Sequence, residues 1–117
     1  MNQNEMKKRT KSFAIKIVRL YETLPQKGPA NVLGGQVLRS GTSAGANYRA
    51  ACRARSIADF ISKMGIVEEE LDETMYWLEL LVECEILKQN DLESLMGEAN
   101  ELLAIIVASI KTAKKNR

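Results

Sequence analysis

The side chains best suited to chemistry form an acidic run at residues 68–73, which reads Glu-Glu-Glu-Leu-Asp-Glu. Glu69, Asp72 and Glu73 would share one face of a helix, and carboxylates grouped in this way hold magnesium in enzymes that cleave phosphodiesters. No second carboxylate cluster and no lysine at a suitable spacing accompany the run, and carboxylate-rich helices are usually solvated or ion-paired. We therefore predict that the protein is not an enzyme and has no catalytic residue, no metal site and no cofactor.

Histidine is absent from all 117 residues. This absence removes the commonest general base and the commonest metal ligand, so zinc sites and serine or cysteine triads are effectively excluded. The segment 41–45, Gly-Thr-Ser-Ala-Gly, is not a phosphate-binding loop, because neither Gly-Lys-Ser nor Gly-Lys-Thr follows it and no strand precedes it. Cys52 and Cys84 lie on predicted helices beside small or apolar neighbours, which indicates buried thiols in a reducing compartment.

The charges are segregated along the chain although the net charge is only +2. Residues 1–55 carry 11 basic and 2 acidic side chains, residues 56–110 carry 2 basic and 13 acidic ones, and the last seven residues add four cations. A basic face attracts phosphate even when the whole protein is nearly neutral. The candidates for nucleic-acid binding are cations of the amino-terminal half and of the carboxyl-terminal tail: Lys7, Lys8, Arg9, Lys11, Lys16, Arg19, Arg39, Arg49, Arg53, Arg55, Lys111, Lys114 and Lys115.

Three of these candidates, Arg39, Arg49 and Arg53, project within about 80° of one another on a predicted helix, because successive residues are about 100° apart. Arginine binds phosphate with two parallel hydrogen bonds, so the three would form a basic stripe. An alternative is open for Arg39 and Arg49, which would instead pair with an acidic third helix. The carboxylates available for such pairing are Glu69, Glu70, Asp72 and Glu73.

The elements that must position these residues are read from apolar side chains recurring at helical spacing. A first helix extends from about Phe13 to Leu24, after a segment 1–10 that we predict to be a flexible basic tail. A turn at 25–31 contains both prolines of the chain and leads to the second helix. This second helix covers about 32–55, and its glycines cost about 1 kcal/mol each in a helix interior, which close helix packing would offset.

The third helix begins at a capping box of Ser56 and Asp59 and continues to about Leu87. A second capping pattern, Asn90 with Glu93, precedes the fourth helix. Four amphipathic helices with short connections predict an all-α fold, an antiparallel up-and-down four-helix bundle.

Residues 1–117 should form one domain, since a single core typically organises roughly 100 to 150 residues. No apolar run approaches the roughly 20 residues that cross a membrane, and no apolar segment follows the basic amino terminus, so we expect a cytoplasmic protein without a membrane partner. Residues 102–110 are apolar around most of the helix, which favours a homo-oligomer. Tyr76 and Trp77 more often fill a core or an interface than stack on bases.

Four blocks of sequence, at residues 38–49, 53–60, 73–81 and 109–114, resemble a known family in their order and spacing. The chain is similar to the 23S rRNA intervening-sequence proteins, the S23 ribosomal protein family, over nearly its whole length. The resemblance implies a four-helix bundle that assembles into a homopentamer. A relative of this family is the accessory variability protein of diversity-generating retroelements, a basic barrel that binds nucleic acid and a reverse transcriptase.

The chain departs from this family at Ala50, where many relatives carry glutamate after Asn-Tyr-Arg, so any ion pair of that glutamate is absent. Two functions follow from the residues and the resemblance together. The first is a bacterial binding module for RNA or DNA with a largely sequence-independent phosphate grip. The second is a scaffold or accessory protein whose partner is another protein, such as a reverse transcriptase, with the basic face giving electrostatic complementarity.

Overall fold

A computed structural model describes all 117 residues as four helices without a strand. They are α1 (Gln3–Glu22), α2 (Gly28–Cys52), α3 (Ile57–Glu83) and α4 (Gln89–Lys115). Each helix packs mainly against the next one along the chain, and the molecule measures 46 × 22 × 20 Å. The all-α, antiparallel up-and-down bundle predicted from the sequence is confirmed.

Helix α1 begins ten residues earlier than predicted, and the supposed flexible tail at 1–10 is wrong. Asn2 caps the helix, since its side-chain oxygen accepts a hydrogen bond of 2.8 Å from the Glu5 backbone N–H. Thr10 and Met6 are buried, and they extend the buried face of Phe13 towards the amino terminus by about one and two helical turns, respectively. The polar composition of this segment concealed a helix with one buried face.

The turn between α1 and α2 is shorter than the predicted 25–31. Helix α2 starts at Gly28, whose φ of +66° a glycine adopts without strain, and a proline occupies its first turn. Proline is tolerated there because the first N–H groups of a helix have no partner inside the helix. The same helix ends at Cys52, three residues before the predicted end at Arg55.

The predicted cap at Ser56 is confirmed, but the box is not complete, because the Asp59 carboxylate accepts a hydrogen bond of 3.3 Å from the Arg55 backbone N–H and not from that of Ser56. The Ser56 hydroxyl accepts a hydrogen bond of 3.0 Å from the Asp59 N–H at the start of α3. The pattern at Asn90 is wrong, because α4 starts at Gln89 after Lys88, which makes no side-chain cap. Helix α3 also ends at Glu83, earlier than predicted. The N–H groups of the next residues, at 86 and 87, fold back to the Leu81 carbonyl and end the helix.

The core receives buried side chains from all four helices. Helices α1 and α2 lie very close together, because a Cβ added at Gly41 would stand 2.7 Å from Cγ1 of Ile17. Between α2 and α3, the buried Thr74 hydroxyl donates a hydrogen bond of 2.8 Å to the Ser40 hydroxyl. This polar contact in an apolar surrounding fixes the register of the two helices.

The remaining aromatic and cysteine side chains divide between core and surface. Trp77 is half-buried and packs against the core, as predicted, whereas Tyr76 is 54% exposed and stacks edge to face on the Trp77 ring. Cys52 is half-buried, but Cys84 is exposed, so the prediction of a buried thiol at Cys84 is wrong. None of the four helices combines the length and the apolar composition that crossing a bilayer requires.

Candidate nucleic-acid interface

Five of the thirteen candidate cations line one pocket of about 290 Å³. They come from two helices, and no apolar or acidic side chain lies among them. We call this cluster the basic pocket; its residues are Lys7, Lys8, Lys11, Arg49 and Arg53.

Helical spacing brings the pocket residues to one side of the bundle. Lys7 and Lys11 are one turn apart on α1. Arg49 lies in the last turn of α2, and Arg53 is the C-cap residue that follows this helix, four residues further along the chain. Close packing then joins the two pairs. A Cβ added at Gly45 would stand 3.3 Å from the Thr10 backbone oxygen, so glycine lets α2 approach α1 one turn from Arg49.

The pocket cations have no anionic partner within the protein. The ion pairs of the structure engage four other cations, namely Arg9, Arg19, Arg39 and Lys63. Five like charges around one concave surface repel one another, and they attract an anion that would neutralise them. The pocket therefore has the electrostatic character of a phosphate site.

Arg9 is adjacent to Lys8 in sequence but turns to the opposite side of α1. Its guanidinium donates hydrogen bonds of 3.0 Å to Glu98 and Glu101 of α4. These two bonds, that to Glu101 first, raise the pKa of Arg9. Helices α1 and α4 make few close backbone contacts, so this ion pair is the main polar connection across their seam.

Arg39 follows the alternative that the sequence left open, because it pairs with α3. It binds Glu70 at 3.1 Å and also Glu73, and Glu73 in turn accepts a hydrogen bond of 3.3 Å from the Trp77 ring N–H. Arg49 makes no such contact with α3. Of the remaining candidates, Arg19 pairs with Glu22 of its own helix at 3.0 Å.

The other candidates lie outside the basic pocket. Lys16 is exposed on α1, and the three lysines of α4 are exposed along its last turns. Arg55 lines a neighbouring shallow pocket with Arg53, Asp59 and Lys63. Lys63 of this group was not among the candidate cations, although its position four residues after Asp59 on a predicted helix was a signal for pairing.

Two other titratable groups at this end of the bundle have shifted pKa values. The hydrogen bond from Lys63, at 2.8 Å, and a second from the Arg55 backbone N–H lower the pKa of Asp59. On the buried side of α2, burial raises the pKa of Tyr48, and the neighbouring Cys52 thiol raises it further. Neither group lines the basic pocket, so its charge depends on lysine and arginine alone.

The acidic run on α3 does not form a compact ligand set. Glu69 and Asp72 are exposed, and Glu73 is occupied by Arg39 and Trp77. Nowhere in the structure do three acidic or cysteine side chains come close enough together to hold a metal ion.

Comparison with known proteins agrees with the fold and its sequence blocks. The family model described as 23S rRNA-intervening sequence protein matches residues 2–108. A crystal structure from Bacteroides thetaiotaomicron, described as a protein with unknown function from the S23 ribosomal protein family, is 41% identical in sequence. It superposes with a TM-score of 0.88 and covers 95% of this chain and 99% of its own. No curated protein matches the chain.

Proposed function

The chain belongs to the 23S rRNA-intervening sequence protein family, and from this premise we propose that it is a non-enzymatic, cytoplasmic protein that binds nucleic acid through the basic pocket. The observation that carries the proposal is the convergence of five unpaired cations from α1 and α2. Surface cations of a folded protein commonly find carboxylates, as Arg9 and Arg39 do here. A cluster of cations without a carboxylate attracts an anion from outside the molecule.

The composition of the pocket favours contact with phosphate over contact with bases. Lysine and arginine neutralise phosphates, whereas proteins that hold single strands by their bases use aromatic stacking platforms. The pocket contains no aromatic side chain. Binding should therefore be largely independent of sequence and strongly dependent on salt, because phosphate contacts position a protein without reading bases.

A salt titration with a charge-reversed variant tests the proposal. The double variant Arg49→Glu with Arg53→Glu should weaken binding to all sequences alike and leave folding intact, because neither side chain bonds within the protein. If each arginine meets one phosphate, the magnitude of the slope of log affinity against log salt should fall by about 1.8 on duplex and by about 1.4 on a single strand, at roughly 0.9 and 0.7 per phosphate.

The matched control is Lys27→Glu with Lys88→Glu, which changes the net charge equally. Both lysines are exposed and lie in the connections at the opposite end of the bundle. This control should keep most of the affinity and the slope of the unaltered protein. Salt-dependent binding that is the same for both double variants would overturn the assignment to the basic pocket, and a wild-type protein that binds neither RNA nor DNA would overturn the function itself.

We also propose that the protein is a homo-oligomer, namely the pentamer that the family resemblance implies. Large apolar side chains lie exposed on α1, α2 and α3, and they include Ile15, Val32 and Ile66. Light scattering should give a multiple of the 13.1 kDa chain mass, with five as the expected multiple. A mass near that of one chain at micromolar concentration would refute the proposal.

A protein-binding scaffold is the second candidate, and the outer face of α3 favours it. Tyr76 is exposed there between Asp72 and Glu79, also exposed, at helical spacing. An acidic surface with an aromatic centre suits a basic protein partner such as a polymerase or reverse transcriptase. Nucleic-acid binding that is lost in Arg49→Glu with Arg53→Glu would favour the first candidate. A protein partner whose binding requires Tyr76 would favour the second.

A further inference from the structure

We propose that the basic pocket receives the terminal phosphate of a nucleic-acid strand, while the exposed lysines at the end of α4 contact internal phosphates. This inference rests on the proposed function and names the part of the nucleic acid that the pocket takes. It follows from the number of charges in the pocket, from its size and from the arrangement of its donors.

The pocket holds more positive charge than the interior of a strand can neutralise there. Its volume of about 290 Å³ corresponds to a cube with an edge of about 7 Å. One strand of a duplex carries a phosphate about every 3.4 Å along the axis, so about two internal phosphates fit within that edge. Each internal phosphodiester carries one negative charge. Two such charges would face the five cations and leave a net charge of about +3 in the pocket.

A strand end matches the pocket better in charge. A terminal phosphomonoester carries about −1.5 to −2 at neutral pH and presents three strong acceptor oxygens. Together with the next phosphate of the strand, it brings roughly three negative charges into the same space. A strand end also enters a concave site without having to pass the chain through it on both sides.

The donors surround such a group from two directions. Helix α1 contributes the three ammonium groups of Lys7, Lys8 and Lys11, and the end of α2 with its C-cap residue contributes the two guanidinium groups of Arg49 and Arg53. Ammonium groups act as point charges, whereas a guanidinium donates two parallel hydrogen bonds to adjacent phosphate oxygens. Three oxygens on one phosphorus can therefore be bonded from both helices at once. An internal phosphodiester has only two free oxygens to share.

The remaining basic surface has a different form. Lys111, Lys114 and Lys115 project from the last turns of α4 and are exposed. None of them lines the basic pocket. Separate side chains on a helix surface suit successive phosphates along a strand. The basic pocket thus binds the end of the strand, and the lysines of α4 bind its internal phosphates.

The test compares RNAs of one unstructured sequence that differ only at their ends. The ends are a 5′-hydroxyl, a 5′-monophosphate and a 3′-monophosphate, and the arms with phosphate at either end show which end the pocket takes. We expect at least one phosphorylated RNA to bind about tenfold tighter than the hydroxyl form, a gain of about 1.4 kcal/mol. Inorganic pyrophosphate should compete with the phosphorylated end and much less with the hydroxyl form.

Two pairs of variants locate the preference. Arg49→Gln with Arg53→Gln should reduce the tenfold ratio to near one, and Lys7→Gln with Lys11→Gln should do the same from the other helix. The matched pair Lys114→Gln with Lys115→Gln removes the same charge and should weaken all RNAs alike while keeping the ratio. Circular dichroism checks that each variant is folded.

The outcomes separate this inference from the proposed function. Equal affinity for all three RNAs, with binding still dependent on salt and on Arg49 and Arg53, would refute recognition of the end and leave the proposed function standing. A terminal-phosphate preference that survives in both pocket variants would place the end elsewhere and also refute the inference. If the protein binds none of these RNAs and none of the DNAs of the same sequence and ends, the proposed function fails, and the inference that rests on it fails with it.

Discussion

Two regions of the molecule contain the same kinds of cation in opposite surroundings. In the basic pocket, Arg49 and Arg53 of α2 stand beside three lysines of α1 and meet no carboxylate. At the helix crossings, Arg9 and Arg39 each bind two glutamates of a neighbouring helix. Neither the residue type nor the helix that carries it therefore decides whether a cation is available to a ligand. The charge of the facing helix does.

The close packing of α1 and α2 brings the cations of the basic pocket together. We therefore expect a change that disturbs this packing to have the largest effect on stability and binding. In Gly41→Ala, the new Cβ would overlap the buried Ile17 side chain. Overpacking of this kind costs about 1–3 kcal/mol and outweighs a gain of about 1 kcal/mol in helix propensity. We expect a net loss of up to about 2 kcal/mol in the free energy of unfolding and weaker nucleic-acid binding, measured by urea denaturation and by titration with nucleic acid.

The control for this change lies on the same helix. A Cβ added at Gly35 would meet no atom within 4 Å. Gly35→Ala should therefore raise the free energy of unfolding by up to about 1 kcal/mol and leave binding unaltered. Equal stability of the two variants would mean that the spacing of α1 and α2 does not constrain the pocket.

Adjacent residues of α1 provide the next test, because Lys8 lines the pocket and Arg9 pairs with α4. Arg9→Gln leaves Glu98 partly buried without its cation, and we expect a loss of about 1 kcal/mol in the free energy of unfolding. Its affinity for nucleic acid should not change. Lys8→Gln should show the reverse pattern, with stability within about 0.5 kcal/mol and weaker binding. If the two variants behave alike, the division of cations proposed here is wrong.

A smaller effect is expected at Arg39, which is nearly half exposed. Arg39→Gln should lower the free energy of unfolding by only a few tenths of a kcal/mol, since exposed ion pairs contribute about 0.2–1 kcal/mol. Without Arg39, Glu73 is bonded only to the ring N–H of Trp77, which is the only tryptophan of the chain. The fluorescence of Trp77 should therefore change when Arg39 is replaced. Nucleic-acid affinity should stay constant. A loss of affinity comparable with that of Arg49→Gln would place Arg39 in the interface.

The smallest effect is expected at Asp59, whose carboxylate forms an ion pair with Lys63 in the shallow pocket next to the basic pocket. Its lowered pKa in the folded state means that its contribution to stability is present above about pH 4, the usual value, and is lost as the pH falls through the folded pKa. Asp59→Asn should remove this acid-side dependence from thermal unfolding curves. It should also free Lys63 and strengthen nucleic-acid binding slightly. Weaker binding would show that Asp59 supports the interface.

Most of the fold was predictable because apolar spacing defines each helix. The helix boundaries were harder to predict. Polar residues concealed the start of α1, where only Met6 and Thr10 are buried. The cap predicted at Asn90 was wrong because α4 already starts at Gln89, after Lys88, which makes no side-chain cap. A local capping pattern alone does not fix the first residue of a helix.

The site was predictable as a set of cations but not as a pocket. Charge segregation identified all five pocket residues among thirteen candidates. The sequence could not exclude Arg9, because its partners Glu98 and Glu101 are about 90 residues away along the chain. For Arg39 both outcomes were open, since the choice between solvent and α3 depends on how the two helices are rotated. Tertiary packing decided both cases.

An even number of antiparallel helices brings residue 1 and residue 117 to the same end of the bundle. Gln3 and Asn116 line one shallow pocket there, together with Arg55. A polypeptide joined at either position, whether an affinity tag or a fluorescent protein, would start at the same end of the bundle as the basic pocket. The loop at Gln26 and Lys27, at the far end, is the better attachment point for a label. Immobilising the protein there would leave the cation cluster facing solution.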